Sequence, residues 1–174
     1  MTTLSASFLG ALLVGPFSFG ISRVGNGKVT SLAMGYSLSV PDSYQKMEQI
    51  GPESMRFIGM SLPMASGISS SPLNLFQPSL IELYPLEEKL REYADLNREQ
   101  FSEVLHGKGY NPIAAPIVCI IAGINHSETA SYALVMWGQR KGYILVGAKN
   151  AQVESAIKAM VQSMELQEGL CQWK

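Results

Sequence analysis

The sequence predicts an α+β fold: an antiparallel β-sheet with an N-terminal β-hairpin and two main helices packed on it. Three observations lead there. Phe17, Phe19 and Ile21, and again Leu32, Met34, Tyr36, Leu38 and Val40, alternate with small or polar residues, the period of a strand with one buried face. Residues 131–148, SYALVMWGQRKGYILVGA, read as two apolar strands joined by the turn from Gly138 to Gly142. The stretches 85–107 and 150–164 carry helical spacing instead. Strands joined by tight turns pair antiparallel, and strands grouped apart from helices mark the α+β class.

The chain of 174 residues is sized for one domain, 1–174, with residues 1–30 as an N-terminal β extension. Its composition, 47% hydrophobic and 16% charged, supplies a core and excludes a disordered chain. Thirteen basic and 14 acidic residues leave a net charge of -1, and no basic cluster stands out. That removes the electrostatic basis for nucleic-acid binding or for an anionic membrane surface.

Residues 2–22 carry no charge, which raises a membrane span or a signal peptide. A span needs about 20 mainly apolar residues. Here Gly10 and Pro16 interrupt the run, and its densest part reaches only from Phe8 to Val14. A signal peptide opens with a basic residue, whereas the first basic residue is Arg23. Alternation of Leu4, Ala6 and Phe8 with Ser5 and Ser7 reads as a strand, with Pro16 in the turn that follows. This favours a soluble cytoplasmic protein without an integral span; export or membrane association follows if residues 2–22 are a signal or anchor.

The remaining elements follow in order. Asn26-Gly27 is a hairpin signal, because both residues tolerate positive φ, so residues 17–40 read as a β-hairpin. Pro41 stops its second strand. Residues 55–62 and 80–84 read as strands around the irregular stretch 63–79, which holds three prolines and five serines. Pro85 opens a long helix to Gly107, with Leu86, Leu90, Tyr93, Phe101, Val104 and Leu105 on one face. A buried strand spans 117–122, and residues 124–128 turn. Asn150 caps the last helix, whose buried stripe is Val153, Ile157, Met160, Val161 and Met164.

The run Tyr36-Ser37-Leu38-Ser39-Val40-Pro41 resembles the opening strand of the PsbP-like fold, where an aromatic-led alternating strand ends in proline. The closing hairpin with GYILVGA and a helix ending in SMEL is similar too, so the resemblance covers about residues 31–166. Where the family often places tryptophan after the proline, this chain has Tyr44, and the N-terminal strand and hairpin are additions. The resemblance implies binding rather than a reaction: members include a photosystem subunit, nuclear-transport cofactors, bacterial lipoproteins and chaperones for secreted effectors.

Chemistry-bearing residues are few. His106 and His126 lack metal-ligand spacing, no phosphate-cradling or paired-Cys motif occurs, and no metal or cofactor is expected. Cys119 lies in an apolar run as a small core residue, and whether it bridges to Cys171 is open. The expectation is a non-enzymatic protein-binding accessory, chaperone-like or inhibitor module with no catalytic residue. Its partner is another protein, and a homodimer is compatible. Its partner-binding residues are Met64, Ile68, Leu73, Leu75 and Phe76, because apolar loops rich in Met repack around partners. Two alternatives stand beside it: a small hydrolase or ligand-binding enzyme using His126 and Glu128, and an envelope protein anchored at its N-terminus.

Overall fold

The computed structural model describes residues 21–25, 27–44, 46–61, 77–171 and 173. The strand expected at 4–8, the start of the hairpin and the five partner-binding residues Met64, Ile68, Leu73, Leu75 and Phe76 lie outside the described residues. Within them the fold is α+β, and every strand pair is antiparallel.

A small sheet takes the order β1 (Ile21–Gly25), β2 (Lys28–Ser31), β3 (Tyr36–Ser39), β11 (Glu165–Leu166). The N-terminal hairpin forms where Asn-Gly predicts it, with Gly25 opposite Lys28 and Gly27 at φ 67°. Its second strand is not continuous from 31 to 40. Residues 32–35 turn, closed by hydrogen bonds from Gly35 N to Ser31 O and Met34 N to Ser31 Oγ. Gly35 makes this break, because its φ of 71° is strained for residues with a Cβ. The alternation survives across the turn, which is why the pattern reads as one strand.

The larger sheet holds seven strands: β4 (Lys46–Gly51), β5 (Ser54–Ser61), β6 (Gln77–Pro85), β7 (Asn111–Pro112), β8 (Ile121–His126), β9 (Ala130–Gly138) and β10 (Lys141–Ala148). Their spatial order is β4-β5-β6-β10-β9-β8-β7, so the apolar β9–β10 hairpin sits inside the sheet. The sequence does not announce β4: as an edge strand it buries neither face fully, so KMEQIG shows no apolar alternation. The strand expected at 117–122 is displaced to 121–126. Residues 117–120 form a turn closed by Ile120 N on Ile117 O, with Val118 89% exposed. Ile124, Asn125 and His126, expected in a turn, instead pair with Ala133, Tyr132 and Ser131.

The long helix expected from Pro85 is three pieces: α1 (Leu86–Lys89), α2 (Arg91–Ala94) and α3 (Arg98–Gly107). Pro85 ends β6 opposite Tyr143. Leu90, at φ -140° and ψ 63°, separates α1 from α2. Asn97 starts α3 afresh: its side chain accepts from Gln100 N, and the Gln100 side chain accepts from Asn97 N. The last helix, α4 (Ala151–Gln162), is capped by Asn150, which accepts from Val153 N at 2.8 Å.

Both faces of the large sheet bury apolar side chains. On one face Met55, Phe57, Ile81, Leu83, Val135 and Leu145 meet the α4 stripe and Val29 and Leu38 of the small sheet. The expected stripe of Val153, Ile157, Met160, Val161 and Met164 is buried in full. Tyr36, Trp137 and Tyr143 meet here with ring centroids 5.3 to 5.8 Å apart. On the other face Leu134, Met136 and Ile144 pack against Leu86, Phe101 and Leu105. Each such side chain, fully buried, contributes about 1.5–3 kcal/mol.

Cys119 and Cys171 form a disulfide, with Cα atoms 5.9 Å apart. Cys119 is therefore a half-buried bridging residue and not a free core residue. The Trp173 indole donates to Cys119 O at 2.8 Å, which seats the C-terminal tail. Among the described residues no helix is long and apolar enough to cross a membrane.

Candidate functional site

Residues directly opposite in an antiparallel sheet project from the same face. The register therefore sets out two rows across β4, β5 and β6: Glu48, Arg56 and Glu82 in one, and Lys46, Ile58 and Leu80 in the next. None of the residues packed under α1–α3 comes from β4 or β5. Among the described residues no helix packs on this half of the face, while the half formed by β10, β9 and β8 is covered.

This half-face is ordered by charge. Arg56 places Nε and Nη2 on Glu82 Oε1 at 2.9 and 2.7 Å, and the Tyr84 hydroxyl donates to Glu82 Oε2 at 2.7 Å. The Tyr84 hydrogen bond, then the Arg56 guanidinium, hold the Glu82 carboxyl below its usual range. Lys89 Nζ sits 4.0 Å over the Tyr84 ring. Beside this polar row lie the half-buried Ile58 and the exposed Leu80. The last pair of β5 and β6, Ser61 opposite Gln77, bounds the segment 62–76 that carries the expected partner-binding residues. Expected stretch 63–79 thus gives up Gln77–Ser79 to β6.

Where the small sheet meets the β4–β5 turn, a 400 Å³ cleft is lined by Met34, Glu53, Pro85, Glu87, Glu88, Arg140 and Lys141. Both Glu53 oxygens are shielded from solvent and have no hydrogen-bond partner of good geometry. Burial pushes the Glu53 carboxyl up; the nearby Ser31 hydroxyl and the Lys141 ammonium offset part of that rise. Tyr36, 1% exposed, has an unpartnered hydroxyl and feels the Glu53 charge.

The contacts of the His126 side chain run to Ser131 and Glu154. The β8–β9 register sets His126 opposite Ser131, so Nδ1 lies 2.9 Å from Ser131 Oγ, while Nε2 lies 3.6 Å from Glu154 Oε2 on α4. Glu154 also binds Lys158 at 2.6 Å, and Lys158 holds its carboxyl below the usual range. Glu128 lies exposed in the turn. Ser131, His126 and Glu154 form a Ser–His–Glu set in which Ser131 is fully buried. These three groups tie the turn to α4. His106 is exposed at the end of α3, beside a 210 Å³ cavity lined by Leu105, Tyr110, Pro112 and Ile121. Among the described residues no group of three His, Cys, Asp or Glu side chains is placed to hold a metal.

No protein-family model matches the chain, and no curated protein or solved structure does either. Functional reading therefore rests on the molecule's own surfaces. Outward positions for Arg56 and Glu82 are legible from strand period alone. Their pairing is not, because it depends on the register between strands 26 residues apart. Glu53 gives no signal in the sequence, since a glutamate after proline in a turn reads as solvated.

Proposed function

We propose that the chain is a non-enzymatic protein-binding accessory module that works in an oxidising compartment. The observation that carries it is the half-face of β4–β5–β6 on which no helix packs among the described residues; it leads along the β5–β6 hairpin into segment 62–76. A sheet face with apolar Ile58 and Leu80 beside a fixed Arg56–Glu82 pair suits a protein partner: apolar area supplies affinity and the charged row supplies orientation. Met64, Ile68, Leu73, Leu75 and Phe76, in segment 62–76, are the partner-binding residues in our reading. The order of strands and helices, with its resemblance to the PsbP-like fold, supports binding over catalysis by analogy alone. The Cys119–Cys171 bridge argues for an extracytoplasmic location over the cytoplasm, where thiols are kept reduced.

The test is affinity capture from the native cell followed by mass spectrometry, comparing the wild type with Leu80→Asp and with Leu75→Ser/Phe76→Ser. Each variant is expected to lose the same partner while its melting temperature stays within about 2 °C of wild type. Identical capture by all three proteins removes this surface as the site.

A further inference from the structure

The edge strand β4 is complementary to a reversed copy of itself. Among the described residues it has one neighbour in the sheet, β5, so its other backbone edge is open for pairing. Its side chains alternate in sign on one face: Lys46 and Glu48, both projecting with Arg56 and Ile58, lie 2.6 Å apart within the strand. A lysine on an edge strand ordinarily deters pairing. Here the sign change between neighbours on one face gives the opposite result in one register.

Two identical strands related by a two-fold axis normal to the sheet must pair about a central residue, since opposite residues share a face. Centring on Lys46 sets lysine against lysine, and centring on Glu48 sets glutamate against glutamate. Centring on Met47 sets each Lys46 opposite Glu48 of the second copy, twice over. Charge thus selects this arrangement over the registers centred on Lys46 or Glu48.

We propose that two copies of this chain associate through antiparallel β4–β4 pairing centred on Met47, joining two seven-stranded sheets into one. The occupant of the edge is a second copy and not a foreign strand, because the charge pattern is its own complement. The association leaves the Ile58–Leu80 and Arg56–Glu82 rows facing solvent in each copy.

A single strand pair lies at the small end of specific interfaces, so the expected dissociation constant is roughly 10–1000 μM. Sedimentation of the full chain across that concentration range reads it directly. Lys46→Glu sets a carboxylate against Glu48 of the second copy at both contacts, and Glu48→Lys sets two ammonium groups against each other likewise. Each single reversal is expected to weaken association at least about tenfold. The combined Lys46→Glu/Glu48→Lys chain restores complementarity and is expected to return to within about threefold of wild type. Circular dichroism of each variant verifies the fold. A chain that stays monomeric to about 1 mM overturns the proposal, as does a dimer indifferent to both single reversals or one that the double reversal fails to restore.

Discussion

Replacing Glu53 with Gln should stabilise the protein at neutral pH, although it removes a charged group near Lys141. The carboxylate oxygens are shielded and only partly compensated by Ser31 and Lys141, so the folded state bears a desolvation cost that the unfolded chain does not. An unsatisfied buried polar group costs about 1–3 kcal/mol. The Ser31 hydroxyl and the Lys141 ammonium reduce that here, and a glutamine amide at the same place keeps some of it. The expected gain is therefore about 1 kcal/mol, or about 2–4 °C in melting temperature for a domain of this size. The pH dependence fixes the cause. Burial raises the folded pKa of Glu53 above its unfolded value, so its relative stabilisation is complete below the unfolded pKa and is lost as pH rises through the folded one. The variant and wild type should therefore converge as pH falls below about 4, under the unfolded glutamate value, and separate as pH approaches 7. Glu48, Glu82, Glu154 and Glu165 shift the opposite way and cancel, since both proteins carry them. Thermal melts of both proteins between about pH 3.5 and 8 make the comparison. A variant less stable than wild type at pH 7, or a gap that does not change with pH, refutes the assignment of a desolvated, under-compensated charge.

Three further outcomes are expected. Replacing Cys119 and Cys171 with Ser opens a loop of 52 residues' separation and should cost about 2–4 kcal/mol, seen as a melting temperature lower by about 5–15 °C that reductant no longer changes. Asn150→Ala leaves the Val153 amide without its cap and should cost about 1 kcal/mol in urea unfolding, with the slope unchanged. Gly142→Ala sets a Cβ 2.6 Å from Val135 O and 3.2 Å from Leu86, so it should destabilise the central hairpin by about 1–3 kcal/mol in the same assay.

What the sequence discloses is governed by burial. The β9–β10 hairpin and the α4 stripe stand at the centre of the molecule, and their apolar periods reach from end to end. β4 sits at the edge, half solvated, and leaves no period to find. Alternation from Ser31 to Val40 is genuine on both sides of the break, and only the φ of Gly35 reveals that the chain turns between them. The helix expected from Pro85 fails for a local reason: the Asn97–Gln100 capping box starts a new helix inside a pattern that looks continuous. The candidate surface was half legible. Strand period exposes Arg56, Ile58, Leu80 and Glu82 on one face, but only pairing across the sheet brings them together. Glu53 and the His126–Ser131 contact depend on register and on the meeting of two sheets, which periodicity does not encode.

The bridge between Cys119 and Cys171 has a mechanical meaning. The covalent ring it closes encloses β8, β9, β10, α4 and β11. A pull on the C-terminus does not peel β11 from β3 and then unwind α4. The load passes through the sulfur atoms to Cys119, at the entrance to β8, and the ring behind it bears no tension. Any machine that draws this chain by its tail meets a closed loop of 52 residues' separation before it meets the sheet's weak edge.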